Sequence, residues 1–185
     1  MATRAMGMGR RAVLQAAAGL AASQLVPGGA AAAPAAPPGK PGDFDFLAGK
    51  WAIAHRMKKG EGWDEFAGEA TCWTILGGVG GVEELRIPAR GFSGMGLRLL
   101  DMEQKIWSDF WVNAKSGVLT TPGMPGSFEN GAGTFTSEDV EDGKPIVARG
   151  VWDRITPTSC RWRQGVSRDG GRSWDEGWFM DWTRA

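Results

Sequence analysis

The architecture is predicted from one stretch, Gly49-Lys50-Trp51-Ala52-Ile53-Ala54-His55-Arg56-Met57. Every second residue from Trp51 onward is apolar or aromatic, which is typical of a strand with one buried face. That face carries Trp51, Ile53, His55 and Met57. An inward Trp51 therefore implies that His55, the only histidine of the chain, also points inward.

The last stretch of the sequence, residues 174–184, alternates in the same way. One of its faces carries Trp178, Met180, Trp182 and Arg184. We expect the first and last strands to meet, with Arg184 capping the Trp51 indole beside Gly49 and closing the floor of a barrel. A closed barrel with an interior cavity favours a binding protein.

Between these ends the sequence predicts a succession of strands and short turns. The expected strands cover residues 51–57, 63–76, 82–87, 92–100, 106–112, 127–129, 133–137, 146–155, 160–167 and 172–184. Residues 118–125 are expected to be irregular because Pro122 and Pro125 cannot donate to a ladder. This pattern, with 29 glycines for kinks and bulges, predicts an all-β, antiparallel up-and-down barrel of about 8–10 strands. A two-sheet sandwich is the alternative.

The N-terminal residues have the composition of an export signal. Residues 1–11 hold three arginines and no acid, residues 12–26 form an apolar run, and Ala30-Ala31-Ala32 offers a cleavage site. Arg10-Arg11 resembles a twin-arginine motif, with the general secretory route as the alternative. We therefore expect an export signal at 1–32, a Pro/Ala/Gly linker at 33–42, a barrel domain at 43–185, and a periplasmic or extracellular protein without a membrane span.

Charge and composition exclude some partners. The whole chain has 21 basic and 21 acidic residues, and loss of 1–32 leaves 18 against 21, a net charge of −3. A chain with this balance is not expected to bind nucleic acid. We expect a monomer or a weak homodimer.

The predicted inner faces supply the candidate ligand contacts. His55 can orient a ligand, and Gln164 offers a polar anchor among apolar neighbours, as binding pockets do. The full set of candidates is His55, Met57, Trp152, Trp162, Gln164, Trp178 and Met180. The alternative is that these residues only pack, and no residue is predicted to be catalytic.

Two pairs of acidic residues have expected positions on the barrel. Glu65 and Glu69 are expected to face solvent, because inward carboxylates without partners are costly, and this sends Phe66, Ala70 and Cys72 inward. Glu83 and Glu84, beside a glycine-rich turn, are expected on the rim of the barrel.

One hairpin matches a known turn motif. Residues 167–174, Ser-Arg-Asp-Gly-Gly-Arg-Ser-Trp, fit the Asp-box pattern. Ser167, Asp169, Gly171 and Trp174 are predicted to clamp this turn, with a structural role only.

The sequence offers few ligands for a metal. One histidine and two distant cysteines, Cys72 and Cys160, do not form an evident zinc set. We expect two buried thiols, with a disulfide as the alternative.

Several ordered segments carry a family resemblance: Asp43-Phe44-Asp45-Phe46-Leu47-Ala48-Gly49-Lys50-Trp51, Leu76-Gly77-Gly78, Met95-Gly96-Leu97-Arg98-Leu99, residues 107–111 and residues 169–184. With them the chain resembles a bacterial lipocalin-like family of unknown function. The resemblance implies a calycin-type barrel. Nitrobindins share that broad architecture and bind haem through a histidine near the C-terminus, where this chain has none, so no cofactor is expected.

Three hypotheses for function follow. The first is an exported protein that binds a small, largely apolar molecule. The second is a small-barrel isomerase, cyclase or hydrolase that uses His55 with an inward carboxylate. The third is a structural or interaction protein whose barrel is filled by its own side chains.

Overall fold

The computed structural model describes residues 37–185, which form a closed barrel of ten antiparallel strands. Each strand pairs with its neighbours in sequence, and the last pairs with the first. The strands are β1 Gly49–Lys59, β2 Gly62–Ile75, β3 Gly80–Ile87, β4 Phe92–Asp101, β5 Ile106–Asn113, β6 Met124–Glu129, β7 Ala132–Glu141, β8 Lys144–Asp153, β9 Ser159–Ser167 and β10 Asp175–Arg184. The predicted barrel is confirmed, and the sandwich alternative is wrong.

Short connections hold the strands in order. The β6–β7 hairpin turns at Asn130-Gly131, with φ of 51° and 78°, a dipeptide that type I′ turns prefer. Single 3-10 turns lie at Asp45–Leu47, Leu76–Gly78 and Pro88–Arg90. Residues 37–185 contain no α-helix, and therefore no helix that is long and apolar enough to cross a membrane.

The predicted irregular segment is shorter than expected. Residues 118–125 were expected to be irregular, but β6 begins at Met124 and includes Pro125, which pairs in register with Ser108. Proline is tolerated there because it lies at the beginning of the strand, where the ladder is short.

The two ends of the barrel differ. The end where β1 begins and β10 ends is called the floor, and the opposite end, with the β1–β2 and β9–β10 connections, is called the mouth. Phe44 covers the floor from inside, with its ring centroid 5.0 Å from that of Trp107 and 4.9 Å from that of Phe128. Trp152 and Trp182 continue this aromatic layer, with centroids 5.3 Å apart.

The predicted export signal, residues 1–32, lies outside the described residues, as do residues 33–36 of the predicted linker. The rest of that linker contacts the floor. The Gly39 amide donates to the Lys105 carbonyl at 2.7 Å, and the Gly42 amide donates to the Gly78 carbonyl at 2.9 Å.

Candidate functional site

The floor is closed where the two chain ends of the barrel pair. Trp51 and Arg184 are register partners, and the Arg184 guanidinium carbon lies 4.1 Å from the centroid of the Trp51 indole. Arg184 also donates to the carbonyls of Phe46, at 2.9 Å, and Ala48. Gly49 has a φ of 123°, and a Cβ at this position would overlap Arg184 Nη1. The guanidinium therefore joins the indole, the covering 3-10 turn and the first strand.

His55 lies on the inner wall of β1 and is buried, with 2% of its surface exposed. Trp178 Nε1 donates to His55 Nδ1 at 3.2 Å. An accepting Nδ1 carries no proton, so the neutral ring holds its proton on Nε2. The Phe66 ring stacks on the imidazole, with centroids 4.6 Å apart and planes 9° apart. These contacts fix both the tautomer and the orientation of His55.

Phe66 connects His55 to charged residues nearer the mouth. The Arg90 guanidinium carbon lies 3.3 Å from the centroid of the Phe66 ring. Arg90 Nη2 also pairs with Asp64 Oδ2 at 2.8 Å. Imidazole, phenyl ring and guanidinium thus follow one another along the inner wall.

Several rings lie against the wall because glycines face them. A Cβ at Gly68 would overlap His55 Nε2, and a Cβ at Gly94 would overlap the Trp111 indole. A Cβ at Gly150 would lie 3.3 Å from Trp162 Nε1, which is closer than ordinary van der Waals contact. The absence of side chains at these three glycines makes room for the rings.

The predicted ligand contacts lie on one continuous strip of inner wall. Across β1, β10, β9 and β8 the register pairs are Met57 with Trp178, Trp178 with Gln164, His55 with Met180, Met180 with Trp162, and Trp162 with Trp152. Met57 and Gln164 are half-buried, and the other members of this strip are buried. The strip runs from the mouth at Met57 and Gln164 to the floor at Trp152.

The carboxylates predicted on β2 and β3 face different sides of the barrel. Glu65 and Glu69 are exposed, as expected. Glu84 is also exposed, with 51% of its side chain accessible. The rim prediction for Glu83 is wrong, because this residue is buried on the inner wall with 3% of its surface exposed.

Glu83 belongs to an interior charge cluster that the sequence analysis missed. Its Oε2 pairs with Arg98 Nη2 at 2.6 Å, and Asp109 Oδ1 lies 3.3 Å from Arg98 Nε. Burial by itself would lower the pKa of Arg98, but Asp109 and Glu83 outweigh it and hold that pKa above its ordinary value. The guanidinium carbon also lies 5.4 Å from the centroid of the Trp152 ring. Arg98 is therefore a fixed cation above the floor.

Some buried polar atoms on the inner wall have no hydrogen-bond partner among residues 37–185. They are Trp152 Nε1, Trp182 Nε1, Ser137 Oγ and Asp139 Oδ2. Buried polar groups are rarely left unpaired, because each costs about 1–3 kcal/mol of desolvation. Donors near the floor and acceptors on β7 thus both face the inside of the barrel.

The Asp-box residues form a clamp outside the barrel mouth. Asp169 Oδ1 accepts from the Ser173 amide at 2.9 Å, and Ser173 Oγ donates to Asp169 Oδ2 at 2.6 Å. These bonds, led by the Ser173 hydroxyl, hold the pKa of Asp169 below its ordinary value. The Gly171 amide donates to Ser167 Oγ at 2.7 Å, and Trp174 Nε1 donates to the Gly171 carbonyl at 3.1 Å.

The two cysteines are free and buried. Burial, the largest influence, raises the pKa of the Cys72 thiol and raises that of Cys160 to about 12. Nearby Glu83 raises both further. These thiols are therefore protonated and weakly nucleophilic at neutral pH.

A small cavity lies beside the floor, between Leu47, Cys72 and Arg98. Its volume is about 10 Å³, roughly that needed by one water molecule. Among residues 37–185, no three His, Cys, Asp or Glu side chains come together as a metal site.

Comparison with known proteins finds solved structures that are similar at low sequence identity. No family profile matches the chain, and no curated protein sequence matches it. The structure is similar to that of Rv2717c from M. tuberculosis, with 13% identity, a TM-score of 0.47, and coverage of 76% of this chain and 93% of that one. It is also similar to a DUF3598-family protein of unknown function from Nostoc punctiforme, with 13% identity and a TM-score of 0.44. That match covers 84% of this chain and 53% of the other.

Proposed function

We propose that this chain is an exported protein whose barrel binds a small, largely apolar molecule between the floor and the mouth. Export is supported by the arginines, apolar run and cleavage site of residues 1–32. Binding is supported by the closed barrel and by the strip of aromatic and methionine side chains that lines one side of its interior. Pockets for small molecules are usually lined in this way, with a few polar groups that fix orientation.

The unpaired inner-wall atoms carry the proposal. Trp152 and Trp182 are each 1% exposed, yet their indole N–H groups have no acceptor among the described residues. If only the protein's own side chains filled the barrel, these two N–H groups would lose their hydrogen bonds to water on folding and form none in exchange. A carbonyl or hydroxyl oxygen of a ligand would satisfy them.

His55 is proposed to orient the ligand rather than to react with it. Its Nδ1 accepts from Trp178 and its ring is stacked on Phe66, so the imidazole is held in one orientation on the inner wall. Asp64, the carboxylate at the mouth beside Phe66, is engaged by Arg90. This geometry favours an orienting role over acid–base catalysis.

The direct test is native mass spectrometry and absorption spectroscopy of the protein purified after export. The expected result is an added mass that leaves under denaturing conditions. The delipidated protein should then bind the uncharged dye N-phenyl-1-naphthylamine with a rise in dye fluorescence. A protein of bare mass that does not bind the dye would contradict the proposal.

His55→Ala tests the orienting residue in the same dye assay. The variant should weaken dye binding several-fold, whereas Lys50→Ala, on the exposed face of the same strand, should leave it unchanged. Thermal melts of both variants show whether the barrel is intact. Unchanged dye affinity in a folded His55→Ala protein would assign His55 to the core.

A second candidate is a structural barrel filled by its own side chains. The dense aromatic floor favours it, since Phe44, Trp107 and Phe128 are in edge-to-face contact and the cavity beside Leu47 is only about 10 Å³. Bare mass and no dye binding are the results that this candidate predicts.

A further inference from the structure

We propose that the inner face of β7 anchors a protonated amine of the bound molecule, through Asp139 Oδ2 and Ser137 Oγ. This rests on the proposed binding function and names the class of ligand: a small apolar molecule that carries an ammonium group. Both atoms are buried acceptors without a hydrogen-bond partner among residues 37–185.

The register places these atoms on the inner wall beside apolar side chains. Ser137 pairs with Ala148 and Asp139 pairs with Ile146, and both partners on β8 are buried. Ser137 and Asp139 are two residues apart on one strand, so their side chains lie on the same face. A polar pair on β7 thus adjoins an apolar surface on β8.

The Asp139 carboxylate is held in place by the amide of the next residue. Its Oδ1 accepts from the Val140 amide at 2.7 Å. That bond uses Oδ1 and leaves the buried Oδ2 without a hydrogen bond. An ammonium group carries three N–H donors, which is enough to serve both Oδ2 and Ser137 Oγ.

The other inner-wall carboxylates already have cations. Asp64 pairs with Arg90, and Glu83 and Asp109 share Arg98. Among residues 37–185, no ion pair includes Asp139. A carboxylate oxygen that is buried without a cation is costly, and a cationic ligand would remove that cost while gaining a charge-assisted hydrogen bond.

The test compares ligands that differ only in their polar group. Octylammonium, 1-octanol and octanoate are titrated against the protein with N-phenyl-1-naphthylamine bound, below the concentrations at which they form micelles. Octylammonium should displace the dye at about a tenfold lower concentration than 1-octanol, the gain expected from one charge-assisted hydrogen bond. Octanoate should be the weakest competitor.

Variants separate the anchor from general electrostatic attraction. Asp139→Asn is nearly isosteric and should abolish the advantage of octylammonium while leaving 1-octanol unchanged. Asp142→Asn makes the same change of charge at the exposed tip of the β7–β8 hairpin, and should retain the advantage. Ser137→Ala should reduce it part of the way. Melting temperatures show that each variant is folded.

The outcomes distinguish the anchor from the binding function itself. Equal displacement by octylammonium and 1-octanol, or loss of the advantage in Asp142→Asn to the same extent as in Asp139→Asn, overturns the anchor alone. Failure of the dye to bind, together with bare mass in native mass spectrometry, overturns the binding function and the anchor with it.

Discussion

The contact between Gly49 and Arg184 allows a quantitative test of how the floor is held. Arg184→Ala removes the cation–π contact at 4.1 Å from the Trp51 centroid and the hydrogen bonds to the Phe46 and Ala48 carbonyls. The cation–π contact contributes about 0.5–2 kcal/mol, and the hydrogen bonds of a partly exposed guanidinium add a similar amount. We expect the free energy of unfolding to fall by about 1–4 kcal/mol, which for a domain of this size lowers the melting temperature by roughly 3–15 °C.

Gly49→Ala should disturb the same contact from the other side. The added Cβ would overlap Arg184 Nη1, and a φ of 123° is one that alanine rarely adopts. In the wild-type background, Gly49→Ala lowers the free energy of unfolding both through backbone strain and through the contacts that the displaced guanidinium loses. In the Arg184→Ala background only the strain of about 1–3 kcal/mol remains.

Urea denaturation of wild type, both single variants and the double variant measures the coupling between the two sites. The two single costs should exceed the cost of the double variant by about 1 kcal/mol or more, as expected for residues in contact. Lys50→Ala, an exposed neighbour on β1, is the control and should change stability by less than about 0.5 kcal/mol. Costs that add within about 0.5 kcal/mol, or an Arg184→Ala melt equal to that of the control, would refute this account of the floor.

Three other predictions concern groups outside the strip of predicted ligand contacts. Cys72 and Cys160 should react with Ellman's reagent only after unfolding, because burial keeps them protonated; rapid reaction of the native protein at pH 8 would contradict this. Since the folded-state pKa of Asp169 is depressed, its stabilisation is present above the unfolded pKa of about 3.9 and is lost as the pH falls. The melting temperature of Asp169→Asn should therefore decline less than that of wild type as the pH falls from about 5 to about 2. Parallel declines in the two proteins would argue against the clamp. Glu83→Gln should lower the free energy of unfolding, measured by urea denaturation, by about 1–3 kcal/mol, because its guanidinium partner stays buried. The same change at the exposed neighbour, Glu84→Gln, should lower it by less than about 1 kcal/mol. Equal losses would contradict the assignment of Glu83 to the interior.

The barrel could be predicted because strand alternation has a period of two. Once Trp51 is taken as inward, the parity of β1 also places His55 inward, and both are buried. On β2 the same parity, with the cost of burying carboxylates, sends Glu65 and Glu69 outward. These inferences use only residues that are close in sequence and the rule that one face of a barrel strand is buried.

The interior charges could not be predicted in this way. Glu83 and Glu84 are adjacent acids beside a glycine turn, and local sequence does not say which of them has a buried cation. The cation is Arg98 on the next strand, which in the sequence is a single charge between Leu97 and Leu99. A buried pair depends on two strands being in a particular register, and that register is set by the whole barrel.

The β7 residues show a similar limit. The acidic run at 138–142 suggests a solvated hairpin end, and its alternate members do face solvent. Whether Asp139 Oδ2 has a partner depends on side chains that the barrel brings to it from other strands. A clue in the sequence was available, since Ser137 and Asp139 continue the inward parity of Phe135.

The glycines on the inner wall also set how closely the interior rings approach the sheet. Gly68, Gly94 and Gly150 have no Cβ to meet the neighbouring imidazole and indoles, so each ring lies closer to its strand than an alanine there would allow. Gly94→Ala would push the Trp111 indole away from β4, because the added Cβ would overlap it. At each of these positions a single carbon atom therefore decides where an interior ring can lie.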